Sequence, residues 1–167
     1  KIVAPGMRIG WVCVRNKALR EKLLSYKATA DLHTNIFSQL VLAQYLADND
    51  IDAHIEKTKV LYKHKAELMM DCMRKYLPEG VEFTPTEGGM FLWATLPPVV
   101  PVPEFVQACL DEKLAVIPGS AFYVDASAPC QGVRLNFSTP SEDAICRGVD
   151  IMARVLRKLF GQSVCSV

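Results

Sequence analysis

The sequence lacks an excess of charge of either sign and lacks any long run of apolar residues. Its 167 residues carry 19 Lys and Arg against 18 Asp and Glu, for a formal net charge of +1. A chain this close to neutral has no broad positive field, so we expect no nucleic-acid partner. A membrane-spanning helix needs roughly 18 consecutive apolar residues. No such run occurs, so we expect no membrane partner.

Metal-binding and disulfide patterns are also missing. His54 and His64 lie ten positions apart, a spacing that turns two helical side chains about 80° away from each other, so no metal site is expected. The cysteines are widely and irregularly spaced and form no Cys-x-x-Cys pair. We therefore predict that most of them are reduced packing residues of a cytoplasmic protein, with a mitochondrial location left open. They are Cys13, Cys72, Cys109, Cys130, Cys146 and Cys165.

The remaining composition is typical of a globular chain. Half of the residues are apolar (50%), and nine Gly and ten Pro are scattered without a low-complexity stretch. A domain of this length buries roughly two-thirds of the surface of its unfolded chain. A hydrophobic core that needs neither disulfides nor a metal is therefore expected.

Patterning in the first half of the chain predicts one buried strand and three helices. The segment 7–14 is almost wholly apolar after Arg8 and rich in β-branched residues, as in a strand covered on both faces. Asn16 and Asp50 are suitable helix N-caps. The helices are predicted over 17–26, 35–47 and 51 to about 76, the last ended by Pro78-Glu79-Gly80.

The second half of the chain predicts an α+β unit. Strands are expected over 81–83, 89–96, 114–117 and 132–137, with a helix over 103–113. Thr139-Pro140-Ser141-Glu142 combines a capping box that begins at Thr139 with proline at the first helical position. It predicts a final helix to about residue 160 with an apolar face of Ile145, Gly148, Val149, Met152, Val155, Leu156 and Leu159.

Three charged residues stand in places where charge is unusual. The chain opens with Lys1 rather than Met, so we expect it to be the later part of a longer protein. A lysine beside a buried strand can lose its proton and become a nucleophile, and Arg8 can hold a phosphate, although most lysines are simply solvated. Arg134 interrupts an apolar strand, so it needs a partner. That partner is either the carboxylate of a ligand or a structural acid such as Asp125.

Four stretches of the sequence carry a family resemblance. They are KIVAPGMRIGW from Lys1, GGMFLW from Gly88, VIPGSAFYVDASAP from Val116 and RLNFS from Arg134. Together they resemble the fold-type-I pyridoxal-phosphate aminotransferases of class I/II. The most similar branch holds the 2-aminoadipate and kynurenine aminotransferases. The resemblance covers essentially the whole chain.

The resemblance implies an α/β fold, namely the C-terminal part of the PLP-dependent transferase fold. Residues 1–50 would end the large cofactor-binding domain, 51–80 would form a long interdomain helix, and 81–167 would form the small C-terminal α+β domain. Active sites of this fold lie near a subunit interface, so the resemblance also implies a homodimer.

The same resemblance implies roles for individual residues. Lys1 would be the catalytic lysine that holds pyridoxal 5'-phosphate as a Schiff base, and Arg8 would bind the cofactor phosphate. Arg134 would pair with the α-carboxylate of the substrate, a bidentate task that suits a guanidinium. Tyr123, beside Phe122, is a weaker candidate for substrate contact because packing would explain both side chains equally well.

The implied function is transfer of an amino group from an amino acid of the 2-aminoadipate, kynurenine, aromatic or branched type to a 2-oxo acid such as 2-oxoglutarate. The family's other cofactor-binding residues precede the lysine and are missing here. We therefore expect the 167 residues alone to be inactive and to need the missing N-terminal part of the same enzyme as a partner. The alternatives are an aminotransferase-like effector-sensing domain of a transcription regulator and a catalytically silent interaction module.

Overall fold

The computed structural model describes residues 2–125 and 127–164, with side chains as far as residue 159. The chain divides into two compact units, Lys1–Lys57 and Thr58–Val167. The first unit is helical, whereas the second combines a sheet with helices. We describe each unit by itself.

Asparagine side chains cap both helices that lie wholly in the first unit, at Asn16 as predicted and at Asn35, which was predicted as a helical residue. Helix α1 spans Lys17–Ala30, and the Oδ1 of Asn16 accepts a hydrogen bond from the Leu19 N–H at 3.0 Å. Helix α2 spans Ile36–Asp48, and Asn35 accepts from the Ser38 N–H at 3.0 Å. Each cap satisfies a backbone donor that has no partner within the helix. The helix predictions for this region are confirmed, although α1 continues beyond Tyr26.

The predicted buried strand over 7–14 is wrong. A single 3-10 turn covers Pro5–Met7, and the following residues to Val14 have neither helix nor strand structure. Trp11 is 90% exposed. A strand needs a neighbouring strand to pair its backbone groups, and all four described strands lie in the second unit, where they pair with one another. The apolar run therefore has no described strand in its own unit with which to form a ladder.

Helix α3 spans Ile51–Tyr76, as the sequence predicted, and it begins in the first unit and ends in the second. The Oδ1 of Asp50 accepts hydrogen bonds from the N–H groups of Asp52 and Ala53, both at 3.0 Å, which caps its first turn. In the second unit its core-facing residues are Ala66, Met69, Met70, Cys72 and Met73.

The second unit is built on a four-stranded antiparallel sheet. Strand β1 is Glu82–Thr84, β2 is Phe91–Thr95, β3 is Ile117–Pro118 and β4 is Gly132–Asn136. Their spatial order is β1-β2-β4-β3. The strands predicted over 81–83, 89–96 and 132–137 are confirmed to within one or two residues at each end. The strand predicted over 114–117 is wrong for 114–116, because β3 begins only at Ile117.

Side chains alternate between the two faces of this sheet. Leu92 and Ala94 on β2, with Val133 and Leu135 on β4, belong to the hydrophobic core. The opposite face carries the half-buried side chains of β2 and β4, which are Phe91, Trp93, Arg134 and Asn136. This alternation places one charged side chain among aromatic ones on the face away from the core.

Two helices complete the second unit. Helix α4 is Val102–Asp111 and α5 is Glu142–Val164. The Thr139 cap predicted for α5 is wrong, since the Oγ of Ser141 accepts the hydrogen bond from the Ala144 N–H at 3.3 Å. Thr139 still belongs to the turn after β4, where its N–H donates to the Oδ1 of Asn136 at 3.1 Å. The predicted apolar face of α5 is confirmed.

Lys65 connects α3 to the turn that precedes α5. Its ammonium group donates to the carbonyl oxygens of Ser138 at 3.1 Å and Pro140 at 2.7 Å. Both acceptors lie between β4 and α5, so the partly buried ammonium group of Lys65 stabilises the turn after β4 by donating two charge-assisted hydrogen bonds.

Two kinds of feature do not occur in the part of the chain that the structure describes. None of its helices has the length and apolar character needed to cross a bilayer. The same residues contain no group of three or more His, Cys, Asp or Glu side chains arranged to hold a metal ion.

Candidate active site

Arg134 lies at the centre of the sheet face that points away from the core. Strand pairing places it opposite Trp93 on β2 and Ile117 on β3. Its guanidinium carbon is 4.0 Å from the centroid of the Phe91 ring and 4.3 Å from that of Phe122. Two aromatic faces therefore hold the cation at van der Waals distance, an arrangement that guanidinium groups favour.

No carboxylate neutralises Arg134 within the described residues. A structural ion pair with Asp125, the alternative that the sequence left open, is wrong. The Oδ1 of Asp125 instead accepts from the N–H of Ser127 at 2.9 Å and from its hydroxyl at 2.6 Å. These bonds hold the pKa of Asp125 below its ordinary value. Arg134 thus keeps its N–H donors for another acceptor.

Trp93 supports the aromatic side of this arrangement. Its ring meets that of Phe122 edge to face, with 6.2 Å between ring centroids. A Cβ added at Gly119 would lie 2.6 Å from the Trp93 ring, and one added at Gly132 would overlap it. Two glycines therefore provide the surface on which the indole rests, as expected where a strand glycine permits a close approach.

This packing predicts that Gly132→Ala destabilises the protein. The new methyl group must displace Trp93, so the free energy of unfolding should fall by about 1–3 kcal/mol. Urea unfolding measures this change. Gly88→Ala is the matched control, because a Cβ at Gly88 meets no atom within 4 Å. Equal losses for the two variants would contradict the packing argument.

Tyr123, the weaker candidate, makes different contacts. The neighbouring Cys130 side chain raises the pKa of the tyrosine hydroxyl above its ordinary value. The ring is 45% exposed. It is Phe122, the preceding residue, that contacts Arg134 from this segment. A role for Tyr123 in substrate contact stays a prediction.

The two candidates at the start of the chain belong to the first unit. Lys1 lies outside the described residues. Arg8 follows the 3-10 turn, where its N–H donates to the Pro5 carbonyl at 3.3 Å and its φ of 56° is left-handed. This conformation costs an L-residue roughly 1–2 kcal/mol. The Arg8 side chain is exposed and forms no ion pair with the described residues.

Sequence patterns missed the aromatic residues that hold Arg134. The period-2 alternation of β2 places Phe91 and Trp93 on one face, but only the register of β2 against β4 shows that Arg134 shares that face. Gly132 inside a strand was the available signal of a close contact, since glycine weakens a strand unless something must approach it.

Comparisons with known proteins agree on one family. The family described as "Aminotransferase class I and II" matches residues 1–151. Aromatic-amino-acid aminotransferase 1 of Thermococcus litoralis is 35% identical over 95% of this chain. The chain spans only 37% of that relative's length.

A solved structure and a different kind of protein also match. The crystal structure of LysN, the alpha-aminoadipate aminotransferase of Thermus thermophilus complexed with N-(5'-phosphopyridoxyl)-L-leucine, has a TM-score of 0.85 and 29% identity. That match covers 97% of this chain and 41% of the LysN chain. An uncharacterized HTH-type transcriptional regulator of Escherichia coli, YdcR, is 30% identical over 73% of this chain and 26% of its own length.

Proposed function

The chain belongs to the class I and II aminotransferases, and from that premise we propose that the protein containing it transfers an amino group from an amino acid to a 2-oxo acid. The observation that carries this proposal is the Arg134 guanidinium, held between Phe91 and Phe122 with no carboxylate partner among the described residues. A planar guanidinium can grip a carboxylate through two parallel hydrogen bonds.

One carboxylate site is sufficient for both substrates. An amino acid and the 2-oxo acid derived from it differ at the α-carbon but share the α-carboxylate. Arg134 can therefore orient the donor in the first half of the reaction and the acceptor in the second. In this proposal Arg134 binds and orients the substrate, and it contributes to the rate by holding the reacting α-carbon in position.

The donor class we propose is 2-aminoadipate, kynurenine, aromatic or branched amino acids, with 2-oxoglutarate as an acceptor. The names of the similar proteins support this range, since they include an aromatic and an alpha-aminoadipate aminotransferase. Phe122 is 47% exposed beside Arg134, so its ring can contact an apolar substrate side chain.

Pyridoxal 5'-phosphate is the proposed cofactor, held by Lys1 and Arg8. The donor chemistry of Arg8 fits a phosphate, because its exposed guanidinium has no acidic partner among the described residues and its N–H groups can bind phosphate oxygens. When bound, this cofactor supplies an electron sink for charge at the substrate α-carbon. Lys1 would take and return the proton at that carbon.

We also propose the domain roles and partners that the family implies. Residues 1–50 would complete a large cofactor domain, 51–80 would form the connecting helix, and 81–167 the small domain of a homodimer. Exposed apolar side chains in the first unit support a covering polypeptide, since Trp11 is 90% and Phe37 75% exposed. The remaining N-terminal part of the same enzyme would supply it.

The proposal predicts glutamate formation by the full-length protein. With pyridoxal 5'-phosphate and 2-oxoglutarate present, 2-aminoadipate, kynurenine, phenylalanine and leucine are each tested as donors, and at least one should yield glutamate. Chromatography of the amino acids measures it. Omitting the donor is the control. If every donor fails while the cofactor stays bound, the proposal is refuted.

A second candidate is an effector-sensing domain of a transcription regulator. The similarity to YdcR favours it. Such a protein would bind an amino or oxo acid without turning it over and would carry a DNA-binding module before Lys1. Specific binding of the full-length protein to duplex DNA, without glutamate formation, would decide for this candidate.

A further inference from the structure

Two thiols from distant parts of the sequence meet between helices of the second unit. Cys72 is on α3 and Cys146 is on α5, 74 positions later. Their sulfur atoms are 3.2 Å apart, close enough for one thiol to donate a hydrogen bond to the other. Neither residue is used by the proposed function.

The two cysteines differ in their access to solvent. Cys72 is 7% exposed within the core beside Met73, whereas Cys146 is partly exposed at the edge of that core. Burial and the hydrogen bond to Cys146 raise the pKa of Cys72 to about 11. Asp71 adds to this rise and Lys75 opposes it. Cys72 is therefore a protected thiol next to a more accessible one.

We propose that Cys72 and Cys146 are an oxidation site at which a peroxide converts the two thiols into a reversible disulfide joining α3 to α5. The geometry carries this inference, because the sulfurs must approach by only about 1 Å to reach bonding distance. The fold, and not a local sequence motif, brings these two cysteines together, since they lie 74 positions apart in the sequence.

The chemistry balances with hydrogen peroxide as the oxidant. The more accessible Cys146 gives up its proton and its thiolate attacks one peroxide oxygen. The O–O bond breaks, Cys146 becomes a sulfenic acid, and the departing hydroxide takes up the proton and leaves as water. The Cys72 sulfur then attacks the Cys146 sulfur, gives up its proton and displaces the hydroxyl as a second water. Two thiols and one peroxide thus give one disulfide and two waters, with two electrons passing from sulfur to oxygen.

The protonation of Cys72 sets the expected rate of the second step. Thiolates are the nucleophiles in disulfide formation. With a pKa of about 11, roughly one Cys72 in a thousand is a thiolate at about pH 8, because each pH unit below the pKa lowers that fraction tenfold. Disulfide formation should therefore be slow near neutrality and accelerate as the pH rises toward 11.

A disulfide here would enclose most of the second unit. The segment between the two cysteines contains all four strands and helix α4. A cross-link over a loop this long restricts the unfolded chain strongly. The oxidised protein should therefore have a higher Tm than the reduced protein, by several degrees.

Another described cysteine provides a control. Cys109 is fully buried on α4, and burial raises its pKa to about 12. It resembles Cys72 in burial, but no sulfur–sulfur contact joins it to another described cysteine.

The test treats the full-length protein with hydrogen peroxide, blocks free thiols, and maps peptides by mass spectrometry without reduction. A linked pair of peptides containing Cys72 and Cys146 is expected, and dithiothreitol should abolish it. Cys146→Ser should remove the link and the rise in Tm, whereas Cys109→Ser should retain both. Cys72→Ser should leave a Cys146 sulfenic acid that dimedone traps.

Other outcomes overturn the proposal. One is recovery of Cys72 and Cys146 as separate blocked thiols at every peroxide concentration tested. Another is a link between Cys72 and Cys146 that joins two chains rather than one. If a variant does not fold, the peptide map of the unmodified sequence decides alone. None of these results depends on amino-group transfer, so failure here leaves the proposed function intact.

Discussion

Replacing Arg134 by leucine should lower kcat/KM by roughly 30- to 150-fold, about 2–3 kcal/mol in transition-state stabilisation. The loss should appear for the amino donor and for the 2-oxo acceptor alike, because both carry the carboxylate that the guanidinium is proposed to bind. Steady-state kinetics of the full-length protein with each substrate varied in turn measure it.

Arg134→Lys should recover only part of this loss. Lysine keeps the positive charge, but its ammonium group cannot make two parallel bonds to one carboxylate or lie flat between two aromatic rings. Its KM for both substrates should therefore fall between those of the wild type and the leucine variant. Arg147→Leu is the matched control, because Arg147 is an exposed arginine on α5 of the same unit.

A structural effect of Arg134→Leu can be separated from a binding effect. The leucine variant loses two ring contacts, so a modest fall in Tm is expected. An amine that lacks the α-carboxylate offers the comparison: its slow turnover should change little between wild type and variant. Equal losses for that amine and for the amino acid would show that Arg134 does not act through the carboxylate.

Local signals were sufficient for the helices. Asn16 and Asp50 cap helices at the predicted positions because an N-cap side chain acts on backbone donors two or three residues away. The start of α5 shows the limit of such signals. Thr139 and Ser141 are both residue types that cap helices. The structure distinguishes them, because the Thr139 N–H donates to Asn136 in the turn after β4, whereas Ser141 accepts from the Ala144 N–H of α5.

Non-local features were out of reach of the sequence. The apolar segment 7–14 has the composition of a strand, but a strand forms only beside another, and its own unit has none among the described residues. The contacts of the Arg134 guanidinium with the Phe91 and Phe122 rings likewise depend on the sheet register and on the 3-10 turn Gly119–Phe122. Neither follows from residue spacing.

Sequence pattern and family resemblance contributed different parts of the candidate site. The sequence pattern showed only that Arg134, a charge within an apolar strand, needs a partner, and the family resemblance implied its carboxylate role. The structure adds the aromatic rings that surround it. Arg8 and Lys1 were predicted from a family resemblance, and their roles stay proposals. An experiment on the lysine therefore tests what the resemblance contributes, independently of the sheet.

Replacing Lys1 by alanine should lower the rate of amino transfer by at least about 10²- to 10⁴-fold, the range expected when a general acid–base group is lost. No other group is proposed to move the proton at the substrate α-carbon. The assay uses the full-length protein, and the cofactor content of each preparation is measured so that the rates refer to loaded protein.

A second readout of Lys1→Ala does not require turnover. Borohydride should fix pyridoxal phosphate covalently to the wild-type protein, and peptide mass mapping should place the added mass on Lys1. The alanine variant should lose this mass. Lys17→Ala is the control and should keep it, because Lys17 is 78% exposed in its side chain and lies 3.9 Å from Glu21. Cofactor fixed to another lysine in the wild type would refute the role of Lys1. It would not affect the proposed carboxylate site, which the kinetics of the Arg134 variants test separately.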